Sequence, residues 1–455
     1  MNNLRNIALL AAIAMSVAAT AQIAFTGTTS DVMEITPEAN TGLNKIYVLN
    51  GVEGVGMSYT ASTMNPVTWY TYDERGGAYS QEIFDVVDDR ENPLLSSIAE
   101  VKANCGYIIE EGTSRKYIWV TDYSVFPLEL TSLSVDSDGD CGTATLHVEG
   151  SGEDIPFYTI TGVRKTLSRE LKLSYDNRVW SDTTHYDELH RVEEVLTGFK
   201  STIVIPAPLC NTTFTLSGDR FMEFWNNKVQ PVESDLYNTQ AVEVHTTAVQ
   251  EARNNDNEIK SEGEGVLGGS APCHITFTGY YTDAVVHTEW QMAMDQDFNN
   301  IILRINQNEV DETYDEAGTY YWRFIGSNAD GTCESYSETY TVNIGVSELY
   351  CPNVFSPGST EGVNDEWKVS YRSITEFHCA IFNRWGNKII EFDDPGQGWN
   401  GTYNGKLVPA GVYYYVIKAR GSDGQVYNMD GDINIMRYRQ VSSGSPDDSG
   451  TTVVE

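Results

Sequence analysis

The chain has 455 residues, with 65 Asp and Glu against 29 Lys and Arg and a formal net charge of −36. A field that negative repels phosphate backbones and anionic glycans, which excludes nucleic acid as a partner. The length exceeds what one core supports and points to three or four domains, and the 27 Tyr and 38 Gly suit short strands joined by turns, an all-β composition.

Residues 1–21 read as a signal peptide: Arg5 supplies the positive end, Ile7 to Val17 a short apolar core, and Ala19-Thr20-Ala21 the small-residue cleavage site. The mature chain is expected to begin at Gln22, without a lipoprotein anchor because no Cys follows the site. No later stretch approaches the roughly 20 apolar residues of a spanning helix. A first unit, 22–126, carries Val67 to Tyr72 after Asn65-Pro66, then Gly106 to Ile109 and Lys116 to Val120. Strands spaced by Gly, Asn and Pro mark a sandwich, with Trp69 as its core aromatic.

A second unit, 127–250, has strands at Ala144 to Val148, Phe157 to Thr161, Leu171 to Tyr175, Thr202 to Pro206 and Phe214 to Leu216, closed by Val242 to Thr246. Asp187 to Leu196 is its one helix-like stretch. Trp180, Trp225, Tyr158 and Tyr237 lie in or beside its loops, where they either fill small cores or stack on sugars. Asp136-Ser137-Asp138-Gly139-Asp140 has calcium-like spacing, but His147 stands where an EF-hand loop needs its bidentate acid, so a turn is expected. The polar stretch 251–270 reads as a linker.

The third unit, 271–347, holds Thr288 to Gln291, Gly318 to Phe324 and Asn328 to Gly331, and resembles a fibronectin type III or immunoglobulin-like module. Glu316-x-Gly318-x-Tyr320 fits a tyrosine corner. In an exported chain the seven cysteines favour disulfides. Pairing within each unit joins Cys141 to Cys210, Cys273 to Cys333 and Cys351 to Cys379, leaving Cys105 as a buried thiol or an intermolecular contact.

The terminal segment, 348–439, contains Pro352-Asn353-Val354-Phe355 with Asn364-Asp365, then Asn383-Arg384-Trp385-Gly386, then Trp399-Asn400-Gly401 with Asn404-Gly405, and Gly411-Val412-Tyr413-Tyr414-Tyr415. This succession resembles the type B, gliding motility-associated C-terminal sorting domain of Bacteroidetes type IX secretion cargo; its first turn, Gly358 to Gly362, is longer and poorer in Asp than the family's usual one. Read without the family, Val412 to Ile417 and Ile433 to Met436 alternate as strands and Asn404-Gly405 is a hairpin turn, so a small sandwich follows. The motif leaves two roles open for its residues: directed contacts by Arg384, or structural packing in which Trp385 and Trp399 meet. Residues 440–455 form a Ser/Gly/Asp tail expected to be disordered.

The expected fold is all-β, with tandem immunoglobulin-like sandwiches ahead of a sandwich sorting domain. The resemblance implies export through the periplasm to the cell surface or medium, contact with the type IX outer-membrane translocon, and a PorP/SprF-like outer-membrane protein as partner. No Gly-x-Ser-x-Gly, Walker loop, dinucleotide fingerprint or Cys-x-x-Cys is present. His185 and His190 are five apart, which puts them on different sides of a helix and not on a zinc face. The expectation is therefore a non-enzymatic adhesin or surface-structural protein with no cofactor or metal, contacting a surface glycan or a host or partner protein. An accessory or signalling component of the secretion system and a glycan- or peptide-processing enzyme stand as alternatives.

Overall fold

The structure is a computed structural model that describes residues 23–89, 94–136, 140–227, 229–260, 267–359, 362, 364–436, 438–439 and 453–454. The proposed signal peptide, the middle of the 136–140 acidic loop and most of the 440–455 tail lie outside these residues; Val453–Val454 pairs with Tyr438–Arg439 as a short ladder. The described residues form four successive β-sandwiches.

In the first, a six-stranded sheet centred on Ser114–Asp122 and Cys105–Glu111 faces a four-stranded sheet centred on Gly56–Thr60. Alternation sends Tyr107, Ile109, Ile118 and Val120 inward. Trp69 is buried among them and donates its indole N–H to Ser96 Oγ at 3.0 Å, so this aromatic belongs to the core. Cys105 is a buried thiol that donates to the Lys102 carbonyl at 3.2 Å.

In the second, Leu128–Val135, Thr143–Gly152 and Thr202–Pro206 face a sheet built on Leu171–Ser181. The helix expected over 187–196 is instead the strand Tyr186–Leu196, paired along its whole length with Leu171–Ser181. The spacing of Val192 and Leu196 suits a helix, but it also puts both on one strand face, where they pack against the core. The long ladder then satisfies the backbone and decides between the two.

The third unit begins earlier than the sequence suggests. The strand expected at Val242 to Thr246 to close the second unit is Val244–Gln250, and it pairs with Cys273–Tyr281 of the third. That sheet packs on one centred on Gly318–Ser327, around Phe277, Trp290, Trp322 and Phe324. Tyr320 donates its hydroxyl to the Glu316 carbonyl at 3.2 Å, the expected corner.

The fourth unit has a five-stranded sheet in the order Val354–Phe355, Val426–Ile435, Gly411–Gly421, Ile374–Phe382, Lys388–Phe392. The pair Glu348–Tyr350 and Ser370–Arg372 and the hairpin Thr402–Tyr403/Lys406–Leu407 complete it.

Each junction between units is closed by particular contacts. Between the first two, Trp119, Ile46 and Val48 share a core with Phe157, Leu167 and Phe221. Beneath it Arg169 and Asp219 pair at 2.7 Å with side chains 1% and 0% exposed. Tyr123 donates to the same carboxylate at 3.0 Å, and Arg169 also donates to the Phe126 and Glu153 carbonyls at 2.7 Å each. A buried pair satisfied this fully is costly to break from one side.

Between the second and third units, Arg178 pairs with Asp283 at 2.9 Å and the Trp180 ring stacks on His245 with centroids 4.3 Å apart. Trp180 therefore serves the junction. A disulfide, Cys141–Cys333, crosses the same boundary with Cα atoms 5.5 Å apart. This replaces the expected Cys141–Cys210 and Cys273–Cys333 bonds: Cys210 and Cys273 are thiols buried in the second and third units, whereas Cys141 and Cys333 lie in the loops that meet. Cys351 and Cys379 are likewise free thiols in the terminal core; burial, with Cys351 alongside, pushes Cys379 up to about 12.

Of the stretch expected as a linker, residues 255–259 form a strap on the terminal domain and Leu267–Gly269 is a strand paired with Tyr340–Ile344 of the third unit. Ile259 N–H donates to the Tyr371 carbonyl at 2.8 Å and Tyr371 N–H to the Asn257 carbonyl at 3.2 Å. Asn257 Nδ2 donates to the Val369 and Pro395 carbonyls, Asn255 Nδ2 to the Tyr371 hydroxyl, and Lys368 pairs with Asp256 at 3.0 Å. Its Asn side chains, which look like linker composition, satisfy the backbone of a neighbouring sheet edge.

Replacing Asp219 with Ala removes one partner of the buried pair and should cost about 3–5 kcal/mol. Urea unfolding followed by Trp fluorescence should show this as an early transition of the first two units; an unchanged midpoint would contradict the assigned role.

Candidate functional site at the tip of the terminal domain

The motif residues fall into two groups. The larger builds the sandwich. Phe355, Trp399, Tyr413 and Tyr415 are buried in one cluster, with the Trp399 ring 5.4 Å from Phe355 and 5.2 Å from Tyr413. Trp399 exchanges backbone hydrogen bonds with Trp367 at 2.9 Å each way. Tyr413 donates to the Pro409 carbonyl at 3.0 Å, a second tyrosine corner with the same four-residue reach as Tyr320.

The chain-entry residues are equally structural. The Pro352 carbonyl accepts from the Trp367 indole at 2.6 Å, and the Asn353 carbonyl from the Asn434 backbone at 2.8 Å. The Asp365 carboxylate closes its own loop by accepting from the Gly358 and Gly362 N–H groups at 2.9 and 2.6 Å, next to Asn364 at φ +52°. Gly401, at φ +75°, lies where a Cβ would come within 2.7 Å of Pro357, so only glycine fits. Asn404 and Gly405 both have positive φ, as their hairpin requires.

The smaller group is at the tip. Ile374–Phe382 turns into Lys388–Phe392 through Asn383, whose Oδ1 accepts from the Trp385 and Asn387 N–H groups at 3.0 Å each. Gly386, at φ +80°, donates its N–H to the Asn383 carbonyl at 2.9 Å. This rigid turn lifts Trp385 into solvent, 72% exposed, with the Arg384 guanidinium 4.3 Å above its ring. Packing of Trp385 on Trp399 does not occur: Trp399 is 0% exposed in the core while Trp385 stands outside it. Among the described residues Arg384 makes no ion pair.

The turn forms one wall of a cleft of about 690 Å³. The opposite wall is Val408 to Tyr413, where Gly411, at φ +142°, enters its strand, and Tyr403 stands at the side. Sequence reasoning missed Trp367, which lies just beyond the Asn364-Asp365 motif and is fully buried; its position two residues after Asp365, before an alternating run, was the available signal. It also missed Ser270 and Ser373: Ser373 donates its N–H to Ser270 Oγ and accepts at its own Oγ from Ala271 N–H, which joins the third unit to the fourth.

His185 and His245 both pack on the Trp180 ring, in a cluster with Tyr280. His185 and His190 lie at and after the turn between two paired strands, the first 6.2 Å from Trp180 and the second 3.7 Å from Glu188. Among the described residues no group of His, Cys, Asp and Glu has the geometry to hold a metal ion.

Residues 349–435 match the family model described as CHU_C type IX secretion signal domain, and residues 133–234 match a fibronectin type III domain. The second match falls on the second unit; the sequence pattern had suggested that type for the third. The chain thus carries a type IX secretion signal domain behind a fibronectin type III domain and further β-sandwiches, which supports its being cargo for the type IX machinery, exported to the cell surface or extracellular space. No curated protein matches. Among solved structures, a tetra-tandem repeat from the extending region of a large adhesion protein is 10% identical, with 86% of this chain and 98% of that one covered at a TM-score of 0.21. The three N-terminal domains of the highly immunogenic outer capsid protein of bacteriophage RB49 are 10% identical, covering 68% and 98% at 0.20.

Trp399→Ala should destabilise the terminal domain by about 3–5 kcal/mol, whereas Trp385→Ala should stay within about 0.5 kcal/mol. Thermal melts of the two variants check this, and equal losses would show that Trp385 is a structural residue after all.

Proposed function

We propose that the protein is a non-enzymatic surface protein, an adhesin or structural spacer, whose first three sandwiches form the working part and whose fourth is the export address. In this reading it crosses the inner membrane by its leading segment, passes through the periplasm, and is handed to the outer-membrane translocon with a PorP/SprF-like protein as partner. The observation that carries the reading is the division within the terminal domain. The aromatic motif residues Phe355, Trp399, Tyr413 and Tyr415 lie in the core, others shape its loops and turns, and Arg384 and Trp385 stand exposed on one hydrogen-bonded turn beside a cleft.

The working part is supported by its junctions. A shared core, a buried ion pair, an interdomain disulfide and a strap connect the sandwiches, as suits a spacer that must hold a binding surface at a set distance. The histidines are engaged separately, His245 with Glu243 at 2.7 Å, His378 with Asp393 at 2.6 Å and His147 with Asp136 at 3.0 Å. A glycan or a host or partner protein is the class of ligand such a surface takes.

Removing residues 348–455 should leave the remaining chain in the periplasm, out of reach of protease added to whole cells. Surface display of the truncated chain at the normal level would refute the address role.

A further inference from the structure

One end of the terminal domain is already occupied. Ser270 Oγ accepts from Ser373 N–H at 2.7 Å, Ser422 donates its hydroxyl to the Gly345 carbonyl at 3.1 Å, and Ser347 donates to Asp423 at 2.8 Å. The strap covers the adjoining edge at Tyr371. The tip built on Asn383 to Asn387 carries none of these contacts, so it is the end presented to an outside partner.

Charge singles out the same place. The chain holds 65 Asp and Glu, yet the described residues lining the tip cleft include Arg384 and Lys388 and not one carboxylate. Lys388 is neutralised by Glu391 at 2.6 Å. Among the described residues Arg384 has no ion-pair partner, and its flat guanidinium lies over Trp385. Trp and Arg are both enriched at binding hot spots.

Resting on the export reading above, we propose that this cleft docks an acidic loop of an outer-membrane component of the export machinery. A carboxylate of that loop pairs with Arg384, and an apolar neighbour lies against Trp385 and Val412. The rigid turn pre-sets both anchors, so little entropy is lost on docking. In a chain of net charge −36, the absence of carboxylates from this cleft lining removes the repulsion that an acidic loop would meet there.

The test uses the full chain in the cells that export it, carrying Arg384→Glu, with Lys418→Glu as a control of equal charge change on an exposed strand position away from the cleft. Loss of one charge-assisted contact predicts a drop of about tenfold or more in protease-accessible surface protein for Arg384→Glu. The control should export normally, and both variants should melt as the unaltered chain does. Export of Arg384→Glu at the normal level overturns the inference, as does equal loss in the control. Deletion of 348–455 in parallel separates the claims: if the deletion is also displayed, the export reading itself fails, and if it alone is blocked, only the tip assignment fails. Selection for restored export of Arg384→Glu should yield Asp or Glu to Lys or Arg changes in an outer-membrane protein. Suppressors confined to other residue types contradict the carboxylate pairing.

Discussion

The strap over residues 255–259 is the constraint on which the reading of the terminal domain depends. A sheet edge leaves unpaired N–H and C=O groups, and the strand Ser370–Arg372 would expose such an edge at Tyr371. Residues of the preceding stretch fill it with backbone bonds in both directions and with Asn side chains aimed at carbonyls. The signal domain is thereby fixed to the third sandwich, one of its ends is covered, and the Asn383–Asn387 turn is left as its free end. The strap acts together with the Ser373–Ser270, Ser422–Gly345 and Ser347–Asp423 hydrogen bonds at the same end.

The other junctions follow the same physical rule, that a chain of small sandwiches behaves as a unit only when each boundary is well satisfied. The first two units share apolar core and bury Arg169 with Asp219, a pair that holds because Tyr123 and two carbonyls complete its hydrogen bonds. The second and third are linked covalently and by the Trp180–His245 stack.

What the sequence made legible was what short-range physics controls. Alternation in Val412 to Ile417, the Asn404-Gly405 turn, the Glu316–Tyr320 corner and Trp69 as a core residue all depend on neighbours within a few positions. The disulfide was not legible, because Cys141 and Cys333 are separated by 192 residues and meet only after two units dock. The strand Tyr186–Leu196 was misread because its apolar spacing fits two periodicities and only the partner strand decides. The strap was hidden by composition: Asn and Asp read as linker until the edge they cover is known. In the signal motif the residue types were visible, but not the division between Trp399 inside and Trp385 outside, which rests on a turn held by Asn383.

The most direct measurement is amide hydrogen exchange on the intact chain, read at Ile259 and Tyr371. The account predicts that both amides exchange slowly and together, since each donates across the strap. Rapid exchange at Ile259 at the rate of an unstructured peptide, with Tyr371 protected only by its own domain, would mean that the segment is a free tether and would contradict the covered edge at Tyr371.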